Sequence, residues 1–496
     1  MSIFILSLCG LATINFFFYI MITLRVEGNR MTFEEIFHAY RNVYYNFPQP
    51  LKTFLGSLYG SIPLEIRFGR QFSIHKKLLE KFENGTEQYK QDYIYNKILE
   101  TLIFAETYIP YYKKKFNEYG LSSRDFKTIE DIKKFPAISK LEMKEHLDEL
   151  YTDVRYRPVA HYTGGSLTTP TKFYLAANSR AKEKVYNNFI FTKIGYKYRT
   201  PTLLLKGRDV SIPEKDIYWE YEPIDNYFLL ANNYLNSDKF PKMFEKAKEF
   251  GPKFIFGYPS AVLSFIKMSR RFGFDPLPGI EGIILASETC YPDEIEIIRD
   301  FFRDSRVLSL YGNSERDVIG YRVADHYNLL GSYAAMRVVD GEIVTTSFDN
   351  FVMPFINRRS GDFATGDVTV YGNSDIAKKV GNIEGRTKDF LVSEDNRLVS
   401  ITTMCGGQHL PLMDIDAIQY IQEEPGIVTV LVEDPDRRVD IAKVKEGMHK
   451  LVRDGIDFRV KVVDKIDKTY RGKRIICKQF LDVEKIRTQK ERQVSA

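Results

Sequence analysis

Between Lys253 and Glu315 short apolar runs alternate with stretches of helical periodicity, and each run ends in a loop of small or polar residues. Phe254-Ile255-Phe256 leads into Gly257-Tyr258-Pro259-Ser260, Ile283-Ile284-Leu285-Ala286 into Ser287-Glu288-Thr289, and Val307-Leu308-Ser309-Leu310 into Tyr311-Gly312-Asn313-Ser314-Glu315. This alternation predicts parallel βαβ units and an α/β fold. Ser260 is expected to cap a helix that runs to about Phe272 and stops at Gly273, and the next helix carries Ile295, Ile298 and Phe302 on one face. Open parallel sheets bind ligands outside the carboxyl ends of their strands, so the three loops are expected to converge on one site. The ligand pocket is expected near Tyr258, Ser260 and Ser287.

A chain of 496 residues suits a large α/β body plus at least one smaller domain. With 44% hydrophobic and 28% charged residues it reads as globular. The charge of +5 is a small surplus of 71 basic over 66 acidic residues with no basic stripe interleaved with aromatics, which argues against nucleic acid as the main partner. The four cysteines and seven histidines are scattered, without a zinc-type cluster or disulfide framework, and fit the reducing cytoplasm. Ile3 to Leu24 carries no charge and is long enough for a membrane span at ~1.5 Å per residue. Arg25 and Arg30 follow it, so two readings stand: residues 3–24 anchor the protein to the cytoplasmic face of the inner membrane, or translation starts at Met31 and residues 1–30 are not protein. Residues 31 to about 150 read as helical, with Ile94, Ile98, Leu102 and Ala105 on one face and Pro110 as the interruption. After Gly385 a hairpin-like segment, Phe390 to Ile401, opens a region of mixed strand and helix pattern. The expected division is a large domain over 31–384, a small one over 385–483 and a polar tail over 484–496.

The segment best suited to phosphate is Tyr162-Thr163-Gly164-Gly165-Ser166-Leu167-Thr168-Thr169-Pro170, where glycines let backbone N–H groups approach an anion and hydroxyls add donors. Four segments follow it in order: Tyr311 to Glu315, Met353-Pro-Phe-Ile-Asn-Arg-Arg-Ser-Gly-Asp362, Gly385-Arg386-Thr387-Lys388-Asp389 and Tyr470-Arg471-Gly472-Lys473. Together they resemble the T-S-G-S-T-G-T-P, Y-G-x-S/T-E, M-P-x-I-R-Y-x-T-G-D, G-R-x-D-D and S-G-K motifs of the adenylate-forming superfamily of acyl-CoA synthetases. Within it they look most like the phenylacetate-CoA ligase group with its capsular-polysaccharide-biosynthesis members, and the resemblance extends from residue 31 to about 480.

The resemblance implies a large α/β domain and a small mobile carboxyl-terminal α+β domain that convert a carboxylic acid and ATP, with Mg²⁺, to an acyl-adenylate and pass the acyl group on, coenzyme A being the default acceptor. It implies that Thr163, Gly164, Gly165 and Ser166 hold phosphates, that Ser287, Glu288, Tyr311 and Gly312 line the nucleotide site with Tyr311 against adenine, and that Glu315 holds Mg²⁺. Asp362, registered by the preceding Met-Pro-x-Ile in preference to Asp367, takes the ribose hydroxyls. Arg386 lies at the hinge close to the nucleotide, and Lys473 reaches the reacting carboxylate and α-phosphate. Asn357 stands where the pattern has Arg, with altered contacts inside the site as the expectation, and Lys388 stands where it has Asp. The competing reading is a non-catalytic scaffold on a degenerate ligase fold, held at a membrane by residues 3–24.

Leu167 and Thr168 replace the hydroxyl and the glycine of the phosphate motif. Losing a hydroxyl bond to a charged phosphate costs ~1.5 to 3 kcal/mol, and a β-branched residue at a positive-φ position adds ~1 to 3 kcal/mol of strain. The double variant Leu167→Thr, Thr168→Gly is therefore expected to use ATP better than the wild type, as read by the KM for ATP; an active wild type that gains nothing would show that this loop has a working geometry of its own.

Overall fold

The computed structural model describes residues 32–163, 171–207, 209–386, 390–401, 415–452, 455–469, 473–483 and 486. The amino-terminal part is helical: α1 (Phe33–Tyr45), α2 (Gln49–Ser61), α3 (Leu64–Arg67), α4 (Arg70–Glu83), α5 (Glu87–Tyr108), α6 (Pro110–Glu118) and α7 (Lys140–Glu145). Thr86 starts α5 by accepting the Tyr89 N–H. Pro110 ends it, because proline has no N–H to continue the helix yet suits the first position of α6. Ile94, Ile98, Leu102 and Ala105 are fully buried, so the expected face is the core face. Among the described residues no helix is long and apolar enough to cross a membrane, and the run from Ile3 to Leu24 lies outside them.

Strands β1 (Pro158–Tyr162) and β2 (Lys172–Ala176) pair antiparallel, Tyr162 opposite Lys172, and α8 (Ser179–Thr192) follows. One 12-stranded sheet then organises the body. Its parallel half contains β3 (Thr202–Leu205), β5 (Tyr227–Leu230), β6 (Phe254–Gly257), β7 (Gly282–Ala286) and β8 (Arg306–Gly312), with β4 (Trp219–Glu222) as an antiparallel edge. Its antiparallel half comprises β9 (Ile319–Arg322), β10 (Tyr327–Leu329), β11 (Ala334–Val339), β12 (Glu342–Ser347), β13 (Arg358–Val370) and β14 (Ala377–Arg386). Helices α9 (Phe240–Phe250), α10 (Pro259–Arg271) and α11 (Pro292–Phe301) connect the parallel strands.

The apolar runs are continuous because the sheet is covered on both faces. Ile255, Ile283 and Val307 pack with α9, α10 and α11, while their neighbours Phe254, Ile284 and Leu308 pack with α4 and α8. Beyond Arg386 come the hairpin β15 (Phe390–Val392) and β16 (Leu398–Ser400), and a second sheet in the order β19-β18-β17-β20, formed by β17 (Ala417–Glu424), β18 (Ile427–Glu433), β19 (Asp457–Val463) and β20 (Cys477–Gln479). Helix α12 (Ile441–Val452) covers this sheet, and Tyr291 of the large body reaches into its core.

Three expectations need correction. Ser260 is not a cap: Tyr258 holds that position, Pro259 opens α10, and the Ser260 N–H is bonded by the Glu288 carboxylate at 3.2 Å, a negative charge at the positive end of the helix. Tyr311 and Gly312 are strand rather than loop, since β8 continues to pair antiparallel with β9 after its parallel partner ends. Asn357 does not enter the site. It is buried, accepting from Arg337 at 2.9 Å and donating to the carbonyls of Ile132 and Phe135 at 2.7 and 2.8 Å, and so ties the amino-terminal helical region to β13.

A second buried tie joins α8 to the amino-terminal helices. The Lys182 ammonium donates to the carbonyls of Tyr333 and Phe348 and to Asp349, at 2.8 to 3.0 Å, and Asp349 also accepts from Lys97 at 2.6 Å. His75 is buried beside them: desolvation lowers its pKa, Asp349 opposes and Lys182 and Lys97 assist, leaving it at about 4 against an ordinary 6.5. The folded state thus refuses a proton that the unfolded chain accepts below 6.5, so this group's stability contribution is complete above that pH and is lost as the pH falls towards 4. The loss amounts to about 3 kcal/mol at most. His75→Leu is expected to reduce the fall in unfolding free energy between pH 6.5 and 4, measured by urea titration at each pH; an unchanged slope would remove His75 as its source.

Candidate active site

Strands β7 and β8 end beside the second sheet, and there a cavity of about 190 Å³ is lined by Ser287, Glu288, Tyr311, Gly312, Asp362 and Lys473. Six of the residues singled out in the sequence therefore come together, from four separate segments. The Tyr311 hydroxyl donates to the Asp362 carboxylate at 2.9 Å. Burial, then Asp362 itself, pushes the Tyr311 hydroxyl well above its ordinary pKa, so it stays a donor. Its ring meets Tyr327 edge-on with centroids 6.2 Å apart, which fixes the ring plane. Asp367 lies exposed further along β13.

Ser287 takes φ of +70°, a left-handed conformation uncommon for a residue with a β-carbon, at the point where β7 stops. Its hydroxyl accepts from Lys206 at 3.4 Å, and the Lys206 ammonium lies 4.1 Å from the centre of the Phe256 ring. The ends of β3, β6 and β7 thus meet at Lys206, Phe256 and Ser287. Lys206 was not singled out from sequence, where one lysine after a short apolar run carries no signal. Tyr258 is 5% exposed and packs in the core beneath the parallel strands.

The loop after β8 is held from beneath. Asp317 is fully buried and accepts from Arg358 Nη2 at 2.8 Å and Nε, from Asn313 Nδ2 at 2.6 Å and from Thr345 Oγ1 at 2.7 Å. Burial alone would raise its pKa, yet Arg358 overrides that and holds it below the usual carboxylate value. Arg358 also lies 3.7 Å from Glu315, whose side chain is 12% exposed. Arg358, the residue after Asn357, opens β13, and it was not singled out from sequence because no motif letter falls on an arginine there.

Lys473 is held by Thr469, whose hydroxyl accepts the Lys473 N–H at 3.1 Å, and by the anchoring of its neighbour Arg474. Arg474 donates to the Glu294 carboxylate through Nη1 and, at 3.1 Å, Nη2, and to the Thr289 carbonyl at 2.9 Å, while its backbone N–H donates to Glu288 at 2.8 Å. Glu294 is in the first turn of α11, where a carboxylate is already favoured. Glu288 therefore spends its oxygens on Arg474 and Ser260 although it borders the cavity. Lys267 of α10 adds a third link, donating to the Ile415 carbonyl at 2.6 Å.

Thr163 is buried at the base of the β1–β2 connection, its N–H bonded to the Thr171 carbonyl and its hydroxyl oxygen to the Thr171 N–H, both at 3.0 Å. Gly164, Gly165, Ser166, Leu167 and Thr168 lie outside the described residues, as do Lys388, Tyr470 to Gly472 and the Arg386 side chain. The Arg386 backbone lies directly opposite Asp362 in the β13–β14 pair, and Gly385 beside it has φ of +86°.

The architecture is that of the adenylate-forming enzymes. The structure matches 2-hydroxyisobutyryl-CoA ligase in its postadenylation state with a TM-score of 0.62 at 13% identity, covering 84% of this chain and 94% of that one. Against the same ligase in the thioesterification state the TM-score is 0.52 at 14% identity, with 84% and 94% covered. In sequence the chain is 20% identical over 459 residues to Protein CapK of Staphylococcus aureus, covering 87% of this chain and 97% of that protein. No family model matches the sequence.

Removing Arg474 leaves Glu288 and Glu294 buried without their cation, a change that costs ~3 to 5 kcal/mol for a buried pair. Arg474→Met is expected to lower the unfolding midpoint and to speed hydrogen exchange at the amides of residues 473–477, and adding Glu294→Gln should recover part of the loss. Unchanged exchange in the single variant would show that the segment is held by other contacts.

Proposed function

We propose that the protein activates a carboxylic acid with ATP and passes the acyl group to a thiol, with coenzyme A as the acceptor. A carboxylate oxygen attacks the α-phosphorus and the bond from that phosphorus to the departing pyrophosphate breaks, giving acyl-adenylate and pyrophosphate. A thiolate sulfur then attacks the acyl carbon and AMP leaves. The observation that carries this reading is Lys473 on the same cavity as the Tyr311–Asp362 pair. Attack of one anion on another builds repulsion at phosphorus, which a positioned ammonium offsets. Tyr311 offers a fixed ring face to adenine, the Asp362 carboxylate suits ribose hydroxyls, and Gly164 to Ser166 supply N–H donors to phosphate by resemblance.

Among the described residues no three His, Cys, Asp or Glu side chains converge as a metal site. Mg²⁺ arriving with ATP needs little more than one protein carboxylate beside phosphate oxygens, and Glu315 is the residue that would hold it. The ion would supply charge neutralisation on the phosphates. The likeness to a ligase whose solved complexes contain 2-HIB-AMP and CoA supports both half-reactions. The same proposal includes the division into a large and a mobile small domain at 384/385. It also includes a place near the phenylacetate-CoA ligase branch, in envelope polysaccharide assembly, which rests on the shared motifs.

With Mg²⁺ and its acid the protein is expected to exchange labelled pyrophosphate into ATP, screened across a library of carboxylic acids. Formation of ADP and phosphate instead would mean an acyl-phosphate mechanism, and absence of ATP binding would favour the scaffold reading. Lys473→Ala should cut adenylation a hundredfold or more, ~3 kcal/mol of transition-state stabilisation, and spare transfer from pre-made acyl-adenylate. Equal damage to both half-reactions would take Lys473 out of this role.

A further inference from the structure

Arg41 of α1 and Arg180 of α8 both direct a guanidinium nitrogen at the same atom, His38 Nε2, the former at 2.6 Å. A neutral imidazole nitrogen offers one lone pair, so two cationic donors on it are one too many. Among the described residues neither arginine makes an ion pair with a carboxylate. Two more basic groups face the same place: His161 on β1 and Arg316, the latter shared with Glu183 and Ser179. Burial, then the surrounding arginines, keeps both histidines from protonating above a pH of about 4, and the Arg180 pKa is itself lowered by burial, then by Arg316, with Glu34 and Glu183 opposing in part. Among the described residues three guanidiniums thus converge where Glu183 is the one carboxylate in ion-pair contact and Glu34 acts on Arg180 from further away, and a bound anion would offset the remaining excess of positive charge. The position is telling. His161 is next but one to Thr163, at the base of the phosphate-suited segment, and Arg316 directly follows Glu315.

We propose that Arg41, Arg180 and Arg316, with His38 and His161 as neutral hydrogen-bonding partners, receive the terminal phosphates of the nucleotide and the pyrophosphate it releases. This rests on the reading of the protein as an ATP-using ligase and adds to it the residues that bind the leaving group. Guanidinium forks suit phosphate oxygens bidentately, and an arginine drawn off His38 by the anion leaves that nitrogen to the other. The cluster also supplies cationic donors outside the loop in which Leu167 and Thr168 replace a hydroxyl and a glycine.

The test is equilibrium binding to the full chain, without acid substrate so that no turnover occurs, of inorganic pyrophosphate, ATP and AMP at fixed ionic strength. The double variant Arg41→Gln, Arg180→Gln is expected to bind pyrophosphate and ATP at least tenfold more weakly and AMP unchanged, and ATP should displace pyrophosphate from the wild type. Pyrophosphate affinity unaltered by the substitutions, a loss that includes AMP equally, or pyrophosphate that ATP does not displace would each overturn the assignment. Should the double variant misfold, Arg41→Gln alone, on the exposed side of α1, should still weaken pyrophosphate binding about threefold, and no loss there overturns it as well. The two readings fail separately: pyrophosphate binding that depends on Arg180 in a protein without acid-dependent exchange would remove the ligase and keep the phosphate site, whereas exchange with unaltered pyrophosphate binding would do the reverse.

Discussion

The buried pair between Asp317 and Arg358 is the joint on which the site depends. Asp317 has no exposed surface, and a carboxylate in that position is tolerable only because Arg358, Asn313 and Thr345 together fill its acceptor sites. Those partners come from the loop after β8, from β12 and from β13, so the pair joins the parallel half of the sheet to the antiparallel half. Tyr311 lies in β8 just before the clamped loop, Glu315 lies within that loop, and Asp362 sits on the strand that Arg358 begins. The positions of Tyr311 and Asp362 on the cavity wall, and that of Glu315 in the loop, are thereby coupled to one salt bridge that none of the motif letters names.

A different kind of joint sets the second sheet against the first. Arg474 bridges the β7–α11 loop and the first turn of α11, and its neighbour Lys473 reaches the cavity. Lys267 and Tyr291 strengthen the same contact, one through a carbonyl bond and one by packing. The links named are mostly polar, and a contact of that kind separates at lower cost than a continuous apolar core would. That suits a reaction in which, as proposed, the lysine serves one half and withdraws from the other.

Much of the fold was legible in the letters. The apolar runs at 254–256, 283–286 and 307–310 are strands, Pro110 does break the helices, and Gly273 follows the end of α10, because period, proline and glycine act on backbone geometry within a few residues. The candidate site was legible where a motif spans contiguous residues, so that Tyr311, Asp362 and Lys473, which line one cavity, were named from their segments. Ser260 and Asn357 were misread because their roles depend on groups far along the chain: a carboxylate at 288, and carbonyls at 132 and 135.

The sequence by itself determined the α/β class, the helical amino-terminal region, the strand ends that face the cavity and the residues whose types suit nucleotide chemistry. These follow from local periodicity and from functional groups carried by neighbouring letters. Only the tertiary structure decided which charges meet: Arg358 with Asp317, Arg474 with Glu288 and Glu294, Lys182 with Asp349, and two arginines with one histidine. Electrostatic partnership depends on distance in space and on the desolvation that burial brings, and neither quantity is set by separation along the chain.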